Sequence, residues 1–257
     1  MHTVLTIAGS DSSAGAGIQA DLKTFGAHGV YGVSAITAVT AQNTQGIRTF
    51  APMLADLVTA QIDAIAADFA IAATKIGMIA TAPNATAIAD AIDRHRLANV
   101  VLDPVLAASS GLRLLDAPGL DALRSALLPR VTVLTPNTLE AEVLLVRPVR
   151  SVPDMRDAAR ALGQLGPRAV VIKGGHLPGP PIDVVFADGH ITELEGRRIS
   201  TRHTHGTGCT FSAAMAARLA LGSTVVDAAR SAKAYVERAL QAAPGLGRGH
   251  GPLGHLY

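Results

Sequence analysis

Short apolar runs alternate with helical segments along most of the chain, and this alternation constrains the fold more than any other feature. The apolar runs are short and mostly rich in β-branched residues, which predicts buried strands at Thr3–Ala8, Val33–Thr40, Ala73–Ile79, Val100–Val105, Val131–Leu134 and Ala169–Lys173. Strands that alternate with helices at these spacings form βαβ units. The sequence therefore predicts an α/β fold: one doubly wound domain over residues 1–257, with a mostly parallel central sheet and helices on both faces.

Helices are predicted between the strands, at Ile18–His28, Ala55–Asp68, Pro83–Arg94, Leu139–Leu145, Met155–Leu165, the segment after Gly208, and Val225–Ala242. Two further runs flank Asp188-Gly189, a pair typical of tight hairpins, and predict a small hairpin at the sheet edge over Ile182–Phe186 and His190–Glu193. Aromatic residues make up 3% of the chain and tryptophan is absent, so the core is built from Ala, Val, Leu and Ile. That composition favours a layered α/β fold over a β-sandwich.

Composition also narrows the function classes. A single cysteine allows no internal disulfide, which fits a reducing cytoplasm. The chain starts directly with an apolar strand and contains no run of about 18 apolar residues, so we expect neither a signal peptide nor a membrane span. The net charge is +2 without a basic cluster, and nucleic acid is therefore not an expected partner.

A glycine-rich turn stands directly before a strong helical segment near the C-terminus. Glycines allow backbone N–H groups to point at one spot, and the helix start adds partial positive charge, so we expect an anion site formed by Gly206, Thr207, Gly208 and Cys209. A thiol at a helix N-terminus is expected to be biased toward thiolate. Two alternatives remain open here: an ordinary glycine turn, and a zinc site made by His203, His205 and Cys209.

Polar and apolar residues at the ends of the first three strands predict a binding crevice, because ligands of open α/β sheets bind at the carboxyl ends of strands. The Gln42 amide can pair with the edge of a heterocycle, and Met78 can pack on a flat ring. Asp21 is expected in the first turn of the first helix, where an alternative role is to stabilise the helix dipole. Gly15–Ala20 resembles a dinucleotide fingerprint, but the chain has no acidic residue from Leu22 to Ala55, which argues against NAD.

The next strand ends carry groups suited to phosphate and magnesium. Asp103 ends the fourth strand and Glu140 follows the fifth, and such a carboxylate pair can hold magnesium through waters. The alternative for the second carboxylate is a capping box, in which Thr135 or Asn137 caps a helix. Lys173 ends the sixth strand, where its ammonium can meet a phosphate.

These segments together resemble the hydroxymethylpyrimidine/phosphomethylpyrimidine kinases of thiamin synthesis, members of the ribokinase-like superfamily. The resemblance runs nearly end to end and is carried by Leu5–Asp11, Gly15–Phe25, Thr37–Thr44, Lys75–Met78, Asp103–Val105, Thr135–Asn137, Lys173–Leu177, Thr204–Thr210 and Gly247–Leu253. It implies an ATP- and Mg²⁺-dependent kinase that phosphorylates a small pyrimidine twice in succession, first on the hydroxymethyl group and then on the resulting phosphate ester. It also implies a cytoplasmic homodimer.

The resemblance further implies roles for individual residues. Gly206–Cys209 would be the anion hole, with Cys209 as proton acceptor where most ribokinase-like enzymes carry an aspartate. The pyrimidine would be held by Asp21, Gln42 and Met78, the nucleotide by Asn137 and Lys173, and magnesium by Asp103 and Glu140. These assignments are expectations carried over from the family motifs.

Some positions depart from the family pattern. Ser109 stands where the family usually has a lysine, Leu112 stands near its usual acid, and Leu139 replaces a proline. The Ser109 departure motivates one alternative, a pyrimidine-binding protein without catalysis, while a pyridoxal kinase of the same fold is another. The small-residue loops Ser10–Gly17 and Ala107–Arg113 are the candidates for closure over the site.

Overall fold

The computed structural model describes residues 1–108 and 111–256, and within them one sheet runs from edge to edge of the molecule. The strands are β1 Thr3–Asp11, β2 Tyr31–Asn43, β3 Gly46–Pro52, β4 Ile71–Ile76, β5 Val100–Leu102, β6 Val133–Leu134, β7 Ala169–Ile172, β8 Asp183–Ala187 and β9 His190–Leu194. They lie in the spatial order β3-β2-β1-β4-β5-β6-β7-β8-β9. The β2–β3, β7–β8 and β8–β9 pairs are antiparallel and the other pairs are parallel.

Helices connect the strands, and most of them lie close to the predicted positions. They are α1 Gly17–Ala27, α2 Ala55–Asp68, α3 Ala82–His95, α4 Ala117–Ala122, α5 Thr138–Leu145, α6 Val152–Gly163, α7 Thr207–Ala220 and α8 Val225–Gln241. The chain continues from α4 through a π-helical turn, Leu123–Leu127, and a 3₁₀ turn, Leu128–Arg130. None of the helices described is long and apolar enough to cross a bilayer.

Alternate strand residues face two separate helical layers. Leu5, Leu102 and Leu134 belong to the core between the sheet and helices α2, α3, α5 and α6. Their neighbours Val4, Val101 and Val133 belong to the core on the opposite face, which α1, α7 and α8 cover. Because side chains alternate along a strand, continuous apolar runs bury both faces of the sheet. The predicted doubly wound α/β fold is confirmed.

Helix α7 lies in the middle of one layer and aims its N-terminus at the carboxyl ends of the strands. It contacts α1, α8, β4 and β5, and its alanines between Ala213 and Ala217 have no solvent exposure. Small side chains let the helix pack close to the sheet and to its neighbours. The sequence around Gly206 is therefore held at the central strand ends by the packing of the helix that follows it.

Several element predictions need correction. Strand β1 continues through Asp11, so the predicted loop Ser10–Gly17 contains two strand residues. Strand β3 was not predicted; it is an edge strand with mostly solvent-facing side chains and ends in a proline. Helix α4 and its following turns were also not predicted. The edge hairpin is confirmed as β8–β9, and Asp188 (φ 50°) and Gly189 (φ 78°) form the left-handed turn that Asp-Gly favours.

Candidate active site

Two helix N-termini meet at the centre of the strand ends. Gly206 has φ 84° and caps α7, and a Cβ atom on it would lie 1.9 Å from the carbonyl oxygen of Gly15. Gly17 starts α1 with φ 58°, and a Cβ atom there would lie 2.3 Å from the carbonyl oxygen of Gly9. Both positions need glycine because they combine left-handed backbone with backbone contact. The N-terminal turns of two helices therefore share one region, and the partial positive charge of both helix starts favours an anion there.

A charged pair borders this region. Lys173 Nζ lies 2.7 Å from Asp103 Oδ1, and both side chains are mostly buried. A Cβ atom on Gly208 would lie 3.2 Å from Lys173 Nζ and 3.3 Å from Asp103 Oδ2, so the glycine leaves open the space between the pair and the start of α7. The structure thus brings together three of the predicted segments, which come from β5, β7 and α7.

Asn137 and Glu140 form the capping box that the sequence analysis left as an alternative. Asn137 N donates to Glu140 Oε2 at 2.7 Å, and Glu140 N donates to Asn137 Oδ1 at 2.9 Å. Burial raises the pKa of Glu140 to about 7, with Lys173 opposing and Asp103 adding to the rise. Glu140 therefore lies in the field of the Lys173–Asp103 pair while it also stabilises the start of α5. Among the residues described, no three acidic, histidine or cysteine side chains are arranged to hold a metal.

The expected thiolate character of Cys209 is wrong. Burial of the thiol raises the pKa of Cys209 to about 11; Lys75 and the Gly17 N–H oppose this rise, whereas Asp21 and Asp103 add to it. At neutral pH the thiol is then protonated. The helix N-terminus is thus outweighed by desolvation and by two carboxylates that are distant in sequence.

Asp21, which was predicted to contact a ligand, is fully buried and paired with a lysine. Lys75 Nζ and Thr6 Oγ1 donate to Asp21 Oδ2 at 2.8 and 2.6 Å, and all of these side chains are fully buried. Asp21 is the fifth residue of α1, so the alternative that it stabilises the first turn of the helix is wrong. Its Oδ1 atom is buried without a hydrogen-bond partner. The charges of the Asp21–Lys75 pair both act on the Cys209 thiol.

Gln42 lies in a network that sequence reasoning missed. His205 Nε2 is 2.8 Å from Asp11 Oδ2 and 3.2 Å from Gln42 Nε2. Asp11 also accepts hydrogen bonds from the N–H groups of Ser13, Gly15 and Ala16. Burial alone would raise the pKa of Asp11, but the hydrogen bonds from His205, Ser13 and Ala16 lower it to about 2. In the sequence, the one signal for this network is that Asp11 and His205 both lie in segments that resemble the family.

These contacts leave the zinc alternative unsupported. His205 uses Nε2 to bind Asp11, and the Gly17 N–H group donates to Cys209. The His205 backbone is held in turn by the C-terminal segment, since its N–H group donates to the Gly251 carbonyl at 3.2 Å. His250 N donates to the Thr44 carbonyl at 2.8 Å, which ties the same segment to the β2–β3 turn beside Gln42.

Met78 belongs to a small apolar cluster that is separate from the two main cores. Its members are Ala38, Met78, Ala80 and Leu114, with Ile47, Phe50, Val105 and Ala108 packed against them. Met78 Sδ lies 3.0 Å from the position of a Cβ atom on Gly9, so this cluster reaches the end of β1. It places apolar side chains beside the strand ends.

The loop Ala107–Arg113, which contains the Ser109 departure from the family pattern, is closed at its base by backbone pairing. Ala107 and Arg113 form an antiparallel bridge, and Leu114 N donates to the Leu106 carbonyl at 2.9 Å. Ser109, the residue in place of the usual lysine, lies outside the described residues. Leu114 joins the Met78 cluster, so the base of the loop packs against the predicted ring-binding surface.

Comparison with known proteins agrees with this arrangement. A family model described as phosphomethylpyrimidine kinase matches residues 11–254. The chain belongs to the phosphomethylpyrimidine kinase family. The hydroxymethylpyrimidine/phosphomethylpyrimidine kinase of Rhizobium meliloti (strain 1021) is 46% identical to it over 257 residues, which cover 98% of this chain and 96% of the relative. As a member of the phosphomethylpyrimidine kinase family, the chain is a phosphotransferase.

Solved structures of related kinases share its fold. The pyridoxal kinase of Bacillus subtilis, in an ADP complex, superposes with a TM-score of 0.91 at 39% identity, covering 99% of this chain and 97% of that chain. The pyridoxal kinase of Staphylococcus aureus, in complex with AMP-PCP and pyridoxal, gives 0.90 at 33% identity, covering 99% and 93%. Both of these related kinases were solved with an adenine nucleotide bound.

Proposed function

We propose that this chain transfers a phosphoryl group from ATP to 4-amino-5-hydroxymethyl-2-methylpyrimidine, and a second one to the resulting monophosphate, in thiamin synthesis. The observation that carries the proposal is the convergence, at one edge of the sheet, of the Gly206–Cys209 turn, the Lys173–Asp103 pair and Gln42 in a member of this family. Phosphoryl transfer depends mainly on positioning and charge neutralisation, and the site offers both.

In the proposed reaction the γ-phosphoryl group lies at the N-terminus of α7. The hydroxymethyl oxygen forms a bond to the γ-phosphorus, the bond to the ADP oxygen breaks, and the hydroxyl proton is released. Backbone N–H groups of the Gly206–Cys209 turn neutralise charge on the transferring group. Lys173 turns from Asp103 toward the phosphates, and Asn137 lies beside it because the two residues form a bridge between strand ends.

Magnesium is the proposed metal partner of the nucleotide. On phosphates the ion keeps most of its waters and uses one or two protein carboxylates, so Asp103 and Glu140 suit it without a third acidic ligand. When bound, it neutralises phosphate charge. Glu140 would then be held in its ionised form by the cation while it continues to cap α5.

Cys209 has a more limited proposed role than that of a strong base. With its pKa raised to about 11, the thiol is protonated and orients the substrate hydroxyl by hydrogen bonding. A loose phosphoryl-transfer transition state leaves the proton on the hydroxyl until late, so a strong base is not required. Asp21 would act through Lys75 and Cys209, and Met78 would pack on the pyrimidine ring.

The test is ADP release from ATP with purified enzyme, with the hydroxymethylpyrimidine or pyridoxal as acceptor. We expect steady ADP release with the pyrimidine and none with pyridoxal, and mass spectrometry should detect the monophosphate before the diphosphate. Equal turnover of pyridoxal would favour the pyridoxal kinase alternative. Binding of the pyrimidine without ADP release would identify a protein that binds but does not catalyse.

A further inference from the structure

The hydrogen-bond partners around Gln42 determine which way its side-chain amide points. The structure sets Gln42 Nε2 3.2 Å from His205 Nε2 and Gln42 Oε1 3.1 Å from Thr40 Oγ1. A half turn about the last bond exchanges the amide oxygen and nitrogen without changing the shape of the side chain. The orientation must therefore be assigned from the donors and acceptors that face it.

The first partner is a donor. Asp11 is ionised and accepts from three backbone N–H groups, so the 2.8 Å contact with His205 requires a proton on Nε2. A protonated Nε2 cannot accept a hydrogen bond from the Gln42 NH₂ group, and two donors 3.2 Å apart repel each other. The end of the amide that faces His205 is therefore the carbonyl oxygen.

The second partner, Thr40, is consistent with the same orientation of the amide. Thr40 Oγ1 lies 3.1 Å from the carbonyl oxygen of Ser10, and its single proton can be donated there. The lone pairs of the hydroxyl then remain free to accept from the Gln42 NH₂ group. With the carbonyl oxygen toward His205 and the NH₂ group toward Thr40, each of these contacts pairs a donor with an acceptor.

We infer that the Asp11–His205 pair holds the Gln42 amide with its carbonyl oxygen on the His205 side, and so sets the donor–acceptor order that the site reads on the pyrimidine. This inference rests on the proposed function. Asp11 and His205 are then positioning residues for substrate specificity, since both act through Gln42.

The orientation has a consequence for how the substrate lies. The amide oxygen accepts from the exocyclic amino group, and the amide NH₂ donates to the adjacent ring nitrogen, so the amino group lies on the His205 side. The hydroxymethyl group is attached to the ring carbon next to the one carrying the amino group. Because His205 directly precedes Gly206, this order turns the hydroxymethyl group toward the anion turn, whereas the opposite amide orientation would turn it away.

The first experiment measures discrimination between the 4-amino substrate and its 4-oxo analogue, which presents an acceptor and a ring N–H in the reverse order. His205→Leu removes the donor with similar side-chain volume, and we expect it to lower the amino-to-oxo ratio of kcat/KM at least about tenfold, mainly through KM for the amino substrate. His205→Gln restores an N–H donor and should recover most of the ratio. His250→Leu, a histidine that is exposed and bonded to the Arg202 carbonyl, is the control and should leave the ratio unchanged.

An unchanged ratio in folded, active His205→Leu would overturn the inference. If that variant does not fold, Asp11→Asn is the second variant, since it keeps the side-chain shape but removes the fixed acceptor, and it should lower the same ratio.

A second readout does not depend on catalysis. In ¹⁵N-labelled wild-type protein without substrate, we expect the His205 proton on Nε2 and nuclear Overhauser contacts from the Gln42 amide protons to Thr40. Contacts from those protons to the His205 ring instead would refute the assigned orientation. If the wild type failed to phosphorylate the pyrimidine while these contacts were present, the proposed function would fail and the orientation would stand.

Discussion

At the scale of single residues, Gly206 and Gly208 have different roles in the anion turn. Gly206 permits its backbone conformation, and Gly208 leaves open the space beside it. Gly206→Ala forces left-handed backbone on alanine and places Cβ 1.9 Å from the Gly15 carbonyl oxygen. We expect it to lower the free energy of unfolding by about 2–4 kcal/mol and to abolish ADP release. Urea unfolding and the ADP assay measure the two effects.

Gly208→Ala is the matched control for that prediction. Its Cβ atom would lie 3.2 Å from Lys173 Nζ, the end of a flexible side chain, and its backbone is outside the left-handed region. We expect stability within about 1 kcal/mol of wild type, but a kcat reduced by about 10²-fold, because the methyl group occupies the space beside the α7 N-terminus. Equal destabilisation by both alanines would contradict this division of roles.

Cys209 makes a prediction about pH that needs no variant, since it is the only cysteine of the chain. The raised pKa means that thiolate accumulates only as the pH approaches about 11. Alkylation by iodoacetamide should therefore accelerate about tenfold for each pH unit between 7 and 10, without a plateau at the usual thiol pKa near 8.5. A plateau below pH 8 would show a reactive thiolate and restore the role of Cys209 as a base.

At the scale of elements, the N-terminus of α5 has two functions that one substitution can separate. Glu140→Gln keeps the capping box, because glutamine at the third helical position also reaches back to the cap, but it removes the charge. We expect a folded protein whose ADP release is reduced at least about tenfold and whose Mg²⁺ requirement is raised. Unchanged Mg²⁺ dependence would leave Glu140 with the capping role alone.

The same variant has an expected stability profile. The folded-state pKa of Glu140 is about 7, above its usual value, so between about pH 4.5 and 7 the folded protein keeps a proton that the unfolded chain has released. Stability from this group therefore falls as the pH rises through that window. Glu140→Gln should remove this fall, so that above pH 7 the variant is at least as stable as wild type in urea unfolding.

A buried histidine of the C-terminal segment contacts both α7 and α8. Thr210 Oγ1 lies 2.9 Å from His255 Nε2, and Tyr235 Oη donates to the His255 carbonyl at 2.7 Å. Burial lowers the pKa of His255 to about 4, so its contribution to stability is complete above about pH 6.5 and is lost as the pH falls toward 4. His255→Gln should flatten this acid-side loss, on the order of 2–3 kcal/mol, in urea unfolding at pH 4.5 and 7. An unchanged slope would show that other groups cause it.

At the scale of the whole molecule, sequence patterns predicted the strands whose two faces are buried, and the Asp-Gly turn indicated the β8–β9 hairpin, but the exposed strand β3 was missed. Apolar runs such as Val100–Leu102 were visible because parallel strands between two helical layers have little polar content. Strand β3 was not, since most of its side chains are exposed and its ordering comes from pairing with β2. Local patterns therefore located the sheet centre, on which the site is built, better than the β3 edge.

The candidate site shows the same limit. The capping box of Asn137 and Glu140 was recognisable because its partners are three residues apart. The hydrogen bond between Asp11 and His205 joins residues 194 positions apart. The pKa of Cys209 depends on Asp21 and Asp103, which are also distant from it in sequence. Family motifs indicated that these segments belong together, but hydrogen-bond partners and protonation required the three-dimensional arrangement.

Self-association is the remaining prediction for the molecule as a whole. The family resemblance predicts a homodimer, and two large apolar side chains at the start of α2 are exposed: Leu54 at 79% and Leu57 at 50%. Residues three apart on a helix are neighbours, so these leucines form one apolar surface that a second copy could cover. We expect light scattering to give about twice the chain mass of 26.3 kDa, and Leu54→Asp with Leu57→Asp to shift the protein toward monomer. Thr59→Asp, a substitution on the same helix, adds one charge outside this leucine pair and should leave the mass unchanged. A dimer that persists in the double variant would place the interface elsewhere, and a monomeric wild type would contradict the prediction.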